Sequence, residues 1–176
     1  MSEPVTARRR TRPTPPPDTD HYRRAMGRFA SGVTAVTTFA GGVHHAMTAN
    51  ALASVSLDPL LMLVCVERDA RFHDAVEEAG VWGTSILPAR ARATADWLAT
   101  RGRPLHGQLD RIAHHEGPVT GVALLDDALA HFECRTTDIH PAGDHSLVVG
   151  EVVSVATPDH TDDALLYYRG RYGRLA

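Results

Sequence analysis

Short runs of alternating apolar and polar residues dominate this chain, and a period of two is typical of half-buried β-strands. Residues 33–40 alternate and are rich in β-branched side chains, and Gly41-Gly42 supplies a hairpin turn before residues 43–49. Residues 60–67 are continuously apolar, which predicts a strand buried on both faces. Further strands are predicted at residues 81–87, 122–125, 128–139, 146–157 and 164–172.

Two of the later strands carry turn or bend signals. Asp126-Asp127 separates residues 122–125 from residues 128–139, which predicts that these two strands pair with each other. Gly150 interrupts its strand and indicates a bulge or a bend. Residues 101–121 are rich in Gly, Pro, His and Arg, and they are predicted to form a long loop.

Helical signals are fewer and shorter than the strand signals. Thr19 or Asp20 can cap a helix that starts at residue 21. Its apolar residues recur at helical spacing and are predicted to pack into the core; they are Tyr22, Met26 and Phe29. Two further helices are predicted at residues 74–78, ended by Gly80, and at residues 88–98.

These elements predict a mainly β protein, an antiparallel barrel with a few helices, because about seven strands occur without an alternating βαβ order. No G-x-G-x-x-G run follows a strand, so a Rossmann dinucleotide domain is not expected. Residues 19–176 are predicted to form one domain. Residues 1–18 hold five prolines and four arginines and are predicted to be disordered, with docking on a partner as the alternative.

The composition excludes several classes of function. All 18 basic residues are arginine, which rules out a lysine Schiff base and a P-loop lysine, and the formal charge of -3 argues against a general nucleic-acid binder. Cys65 and Cys134 are too few for a disulfide framework or a zinc site, and the adjacent pair His114-His115 lacks metal-site spacing. No apolar run reaches the ~18 residues of a membrane span. We therefore expect a cytoplasmic protein without a metal.

Residues 47–59 are the stretch best suited to binding a ligand. Most of them are small, so a ligand can approach the main chain closely. They offer hydroxyl groups at Thr48, Ser54 and Ser56, and the only asparagine of the chain, Asn50. Composition alone fits a strand followed by a Ser/Ala-rich loop equally well.

Together with residues 31–38 before it and 60–66 after it, this stretch resembles the signature of the flavin reductase family. Two later motifs are similar to that family as well, Gly143-Asp144-His145 at the start of a strand and the closing residues 167–172. The resemblance covers roughly residues 21–176. It implies an antiparallel, Greek-key split β-barrel and the small reductase component of a two-component flavin-dependent monooxygenase.

Members of that family transfer hydride from NADH or NADPH to N5 of FMN or FAD. The resemblance therefore implies FMN or FAD as the flavin, NADH or NADPH as the hydride donor, a flavin-dependent monooxygenase as the partner that takes the reduced flavin, and a homodimer. Two other functions stay open. One is a flavin-bound oxidoreductase that acts directly on an organic substrate, and the other is a non-catalytic flavin-binding protein.

The resemblance also assigns residues to the site. It gives His145 the catalytic task of placing the nicotinamide nucleotide, with Asp144 either orienting it or only making the turn. Arg71 matches a phosphate-contacting position, although a solvated residue at a helix start fits the sequence too. Ala51 stands where the family has serine, and Leu60 where a second proline is common. The implied cofactor-binding residues are Met47, Thr48, Asn50, Ala51, Ser54, Ser56, Cys65, Val66, Glu67, Arg71, Phe72, His145 and Tyr172.

Overall fold

The structure is a computed structural model that describes residues 16–159 and 162–175. Within these residues the chain forms three α-helices, a 3-10 turn and twelve strands. The helices are α1 Thr19–Met26, α2 Arg71–Ala79 and α3 Arg92–Ala99, and the 3-10 turn Ala89–Ala91 precedes α3. The strands are β1 Ser31–Gly32, β2 Thr34–Ala40, β3 Val43–Ala49, β4 Leu52–Leu57, β5 Leu60–Glu67, β6 Val81–Ile86, β7 His114–Glu116, β8 Ala123–Leu125, β9 Ala130–Ala142, β10 His145–Ala156, β11 Leu166–Tyr168 and β12 Arg171–Gly173.

The main sheet contains seven strands in the order β3-β2-β6-β9-β10-β5-β4, and each neighbouring pair is antiparallel. Strands β1, β11 and β12 form a small sheet, and β7 pairs with β8. The mainly β, antiparallel fold class predicted from the sequence is confirmed. In the part of the chain that the structure describes, no helix is long and apolar enough to cross a membrane.

Two hydrophobic clusters lie on the two faces of β2, because successive residues of a strand point in opposite directions. Ala35 belongs to the cluster under α3, together with Ala95. The next residue, Val36, belongs to the cluster under α2, together with Phe72 and Val76. The two helices therefore cover opposite faces of the β2–β3 hairpin.

The long β9–β10 hairpin bends at Gly150, as the sequence predicted. The pairing register shifts between Val149 and Gly150. A Cβ at Gly150 would lie 2.9 Å from the ring nitrogen of Trp82 and 2.9 Å from the Cβ of Cys134. Only glycine allows this close approach, so the bend also brings the strand tightly onto the core.

Several strand predictions need correction. Strand β8 pairs with β7, inside the predicted loop at residues 101–121, and not with β9, because β9 is held between β6 and β10. Residues 52–57, for which composition alone also allowed a Ser/Ala-rich loop, form β4 because β5 supplies a pairing partner. Strand β5 alternates between buried and more exposed positions and is not buried on both faces.

The start of α1 also differs from the prediction. Asp18 caps this helix, since its Oδ1 accepts a hydrogen bond from the amide of His21 at 2.6 Å, and neither Thr19 nor Asp20 has that role. Residues 1–18 were predicted to form a disordered tail. The first fifteen of them lie outside the described residues.

The apolar stripe of α1 does not pack into the core of this chain. Tyr22 and Met26 are 61% and 49% exposed, and Phe29, which follows the end of α1, is 72% exposed. Helical spacing recorded the amphipathic face correctly, but residues 16–159 and 162–175 leave that face exposed. The second predicted helix is longer than expected, since α2 begins at Arg71 and not at residue 74.

Candidate functional site

A cavity of about 490 Å³ lies at the outer edge of β3, which is an end strand of the main sheet. The first residues of α2 and the segment after α3 flank it. The end of β5 and the start of β10 complete its wall. Pockets for cofactors typically enclose about 300–1,000 Å³, so this cavity is large enough for one.

Two side chains close part of the β3 edge. The Oε1 atom of Gln108 accepts a hydrogen bond from the amide of Ala46 at 3.2 Å. Arg103 Nη2 donates to the carbonyl of the same residue at 2.7 Å. Main-chain groups alternate in direction along a strand, so those of Thr48 face the same edge, at the cavity. The Thr48 hydroxyl is engaged elsewhere, because it donates to the Ala95 carbonyl of α3 at 2.6 Å.

Nine of the thirteen predicted binding residues line this cavity. They come from β3, from the link between β3 and β4, and from β5, α2 and β10. These elements are far apart in the sequence. The nine are Met47, Thr48, Asn50, Ala51, Cys65, Glu67, Arg71, Phe72 and His145. The fold therefore gathers most of the predicted set around one space, while the contacts of each residue with a ligand remain a prediction.

The other four predicted residues do not line the cavity. Ser54 and Ser56 lie on β4, the opposite end strand of the main sheet. Val66 is fully buried in the cluster under α2. Tyr172 packs against the cluster under α3, with its ring centroid 5.5 Å from that of Tyr167. These four belong to other parts of the fold in a single chain.

One end of the cavity is basic on balance, because Arg71, Arg101 and Arg103 outnumber the carboxylates Glu67 and Asp69 in the wall. Arg71 is the first residue of α2, and its Nη2 donates to the carbonyl of Arg103 at 2.5 Å. Arg101 Nη2 lies 3.0 and 2.8 Å from the two carboxylate oxygens of Glu67. The main-chain N–H groups at the start of α2 add partial positive charge. This end of the cavity suits a phosphate group.

Sequence reasoning missed twelve of the residues that line the cavity, and the polar ones among them include His45, Arg101, Arg103 and Gln108. The available signal was the Arg-Gly-Arg run directly after a predicted helix. That run was assigned to a loop, and its tertiary contacts leave no local pattern in the sequence.

His145 lies at the first position of β10, directly after the turn at Gly143-Asp144. Gly143 has a φ of +68°, which favours glycine. His145 Nδ1 lies 2.8 Å from Asp144 Oδ1, and this hydrogen bond lowers the pKa of Asp144. Asp144 therefore both makes the turn and orients the imidazole. The bond leaves Nε2 available to a ligand, and the strand register places His145 opposite Glu67.

Two other groups in the wall are neutral at pH 7. Burial raises the pKa of the Cys65 thiol, so this thiol is a wall group and not a nucleophile. Burial lowers the pKa of His45, and the positive charge of Arg71 adds to this effect, while the main-chain oxygen of Ala40 opposes it. Neutral His45 can accept or donate a hydrogen bond beside the basic end.

Comparison with known proteins identifies the family. Residues 26–176 match the model of the flavin reductase like domain. The chain belongs to the flavin reductase family. It is 41% identical over 152 residues to the NADH:riboflavin 5'-phosphate oxidoreductase of Streptomyces pristinaespiralis, covering 84% of this chain and 83% of that protein.

The names of two further relatives state the enzyme system to which each reductase belongs. The reductase component of 4-hydroxyphenylacetate 3-monooxygenase from Thermus thermophilus is 37% identical over 154 residues, covering 88% of this chain and 95% of that protein. The crystal structure of BorF, the flavin reductase component of a bacterial two-component tryptophan halogenase, superposes with a TM-score of 0.84 at 43% identity. The superposition covers 90% of this chain and 98% of the BorF chain.

The residues around the cavity fit a flavin. The main-chain groups of Thr48 at an open strand edge can bond the polar edge of a flat ring, where reduction places negative charge. Arg71 and the start of α2 can hold a phosphate at the other end. Among the described residues, no group of three His, Cys, Asp or Glu side chains is arranged to bind a metal.

Proposed function

We propose that this protein is an NADH:flavin oxidoreductase that reduces FMN or FAD and supplies the reduced flavin to a partner flavin-dependent monooxygenase. One observation carries the proposal: a member of this family places nine predicted binding residues, His145 among them, and a basic end around one cavity. The names of the relatives, an NADH-dependent FMN reductase and components of two-component systems, support the donor and the partner class.

The flavin is held at the β3 edge. The main chain of Thr48 bonds the ring, and the small residues Asn50 and Ala51 allow it to lie close to the strand. Arg71 binds the phosphate, a charge-assisted contact that contributes roughly 1.5–3 kcal/mol. The missing hydroxyl at Ala51 weakens the hold on the flavin, which suits a flavin that arrives and leaves as a substrate.

His145 positions the nicotinamide nucleotide beside the flavin. Its Nδ1 is held by Asp144, so its Nε2 points to a fixed place at the cavity wall. When both are bound, hydride passes from the nicotinamide to flavin N5. No protein acid or base is needed for that transfer, so the chain contributes mainly by holding the two rings at ~3–3.5 Å.

A second copy of the chain completes the assembly. Large apolar side chains are exposed at the β4–β5 edge, where Val55, Leu57 and Leu60 are 49%, 84% and 47% accessible. Together with the uncovered stripe of α1, they support the homodimer that the family resemblance implies. The free thiols of Cys65 and Cys134 fit a cytoplasmic location.

The test combines flavin binding with NADH oxidation. Purified protein is expected to quench the fluorescence of FMN or FAD, and to oxidise NADH faster than NADPH only when flavin is added. NADH oxidation without added flavin would contradict the proposal. Tightly bound flavin without release of reduced flavin would favour direct oxidation or reduction of an organic substrate, and flavin binding without any NAD(P)H oxidation would favour a non-catalytic binding protein.

A further inference from the structure

The guanidinium group of Arg103 connects the end of α3 to the edge of β3. Its Nη1 donates to the carbonyls of Trp97 and Thr100, at 3.1 and 2.7 Å, and also to that of Leu98. Its Nη2 donates to the carbonyl of Ala46 at 2.7 Å. The last carbonyls of a helix carry partial negative charge, so a cation is favourable there. Burial and the charge of Arg71 lower the pKa of Arg103, so this cation stays inside the wall only because these carbonyls accept its hydrogen bonds.

Gln108 completes the same arrangement from the following segment. It is 5% exposed, and its Oε1 accepts from the amide of Ala46 at 3.2 Å and from Arg103 Nη2 at 3.4 Å. Its Nε2 donates to the carbonyl of Leu105 at 3.2 Å. Two side chains thus satisfy both edge-facing groups of Ala46, as a further strand would. The next residue that faces the edge is Thr48, at the cavity.

The main chain of Arg103 fixes the basic end of the cavity. Its carbonyl accepts a hydrogen bond from Arg71 Nη2 at 2.5 Å. The side chain of Arg103 anchors residues 100–103 to α3 and β3, and this anchoring sets the place of the carbonyl. The direction of the Arg71 guanidinium therefore depends on Arg103, although the two side chains repel each other.

We propose that Arg103 and Gln108 are positioning residues of the cavity: Arg103 shares the β3 edge with Gln108 but acts mainly on the flavin phosphate, and Gln108 acts on the ring. Arg103 holds Arg71 in place for the phosphate. Gln108 holds the β3 edge at Ala46, so that the ring can bond only at Thr48. This inference rests on the proposed function, because it concerns how the same cavity recognises its flavin.

The experiment compares the dissociation constants of FMN and riboflavin, which differ only by the phosphate, by fluorescence titration without NADH. Arg103→Met is expected to raise the Kd for FMN about tenfold or more and that for riboflavin less than threefold, because a charge-assisted contact is misplaced. Arg103→Lys keeps the charge but cannot span both the helix end and Ala46. Its Kd for FMN is therefore expected to lie between those of the wild type and Arg103→Met. Gln108→Leu is expected to weaken the binding of both flavins in parallel by about tenfold, and Gln108→Glu, which keeps the acceptor for Ala46 but loses the donor to Leu105, is expected to weaken it less.

Arg92→Met is the control, because Arg92 lies on exposed α3 surface, pairs with Asp96 and does not line the cavity. It is expected to leave both constants unchanged. A thermal melt of every variant shows whether it is folded, so that a loss of folding is not taken for a loss of flavin binding. An unchanged ratio of the FMN and riboflavin constants in folded Arg103→Met and Arg103→Lys would overturn the role of Arg103, and Gln108→Leu with normal constants would overturn that of Gln108. Failure of the wild-type protein to bind either flavin would instead reject the proposed function.

Discussion

His145→Ala is expected to lower kcat/KM for NADH by about 100-fold while the Kd for flavin stays within about twofold. The imidazole lies at the cavity wall, held by Asp144, and its strand neighbour is Glu67, whereas the proposed phosphate contact comes from Arg71 at the start of α2. A group that only aligns the nucleotide affects both KM and kcat, because a displacement of ~1 Å in the reacting rings is costly. Steady-state kinetics and flavin titration on the same preparation measure the two effects.

His140→Ala is the matched control for this prediction, since His140 is exposed on β9 and does not line the cavity. It should leave both constants and the melting temperature unchanged. Equal losses of flavin and NADH binding in His145→Ala, or a lowered melting temperature, would show that His145 supports the fold. Unchanged kinetics would remove it from the site.

Glu133→Ala is expected to lower the free energy of unfolding by about 3 kcal/mol, and the melting temperature by about 6–12 °C. Glu133 is completely buried on β9. Its carboxylate accepts hydrogen bonds from the amides of Val119 and Thr120, at 3.1 and 2.6 Å, and from the Thr120 hydroxyl at 2.7 Å. Truncation leaves these donors without a partner and opens a cavity under their loop. Glu151→Ala, at an exposed position of β10, is the control for thermal and chemical denaturation.

The stabilisation by Glu133 depends on pH in a defined direction. Burial opposes its ionisation, but the hydrogen bonds from Thr120, Val119 and Ser154 outweigh burial and lower the pKa below the ordinary 4.5. A lowered folded-state pKa means that this stabilisation is complete above about pH 4.5 and is lost as pH falls through the folded-state value.

Melting curves across pH measure this loss. The gap between wild type and Glu133→Gln should therefore be largest near pH 7 and shrink below about pH 4. A gap that stays constant with pH would show that the pKa of Glu133 is the same in the folded and unfolded protein, and a gap that grows in favour of the wild type as pH falls would show that folding raises this pKa.

The site could be predicted from the sequence only where its residues are close together or belong to a recognisable motif. Residues 47–51 and His145 were identified in this way, and the structure places them around one cavity. Ser54, Ser56 and Tyr172 belong to the same motifs but lie elsewhere in a single chain. A motif marks a stretch of chain, while alternation along each strand and the path of the sheet decide which of its side chains face the cavity.

The sequence by itself determined the local structure. Alternation of apolar residues predicted most strands of the main sheet, glycines predicted the hairpin at Gly41-Gly42 and the bend at Gly150, and the absence of βαβ order predicted an antiparallel fold. These features depend on each residue and its near neighbours, so the chain records them directly.

Only the tertiary structure decided the pairing of distant strands and the making of the cavity. Strand β8 could have paired with β9, but β9 bonds β6 and β10 on its two edges. The Arg-Gly-Arg run that contains Arg103 was visible in the sequence, but the contacts of Arg103 and Gln108 with Ala46 depend on α3 ending beside the open edge of β3. Hydrogen bonds between residues far apart in the sequence depend on where the packed sheet and helices bring them, and no local pattern records that arrangement.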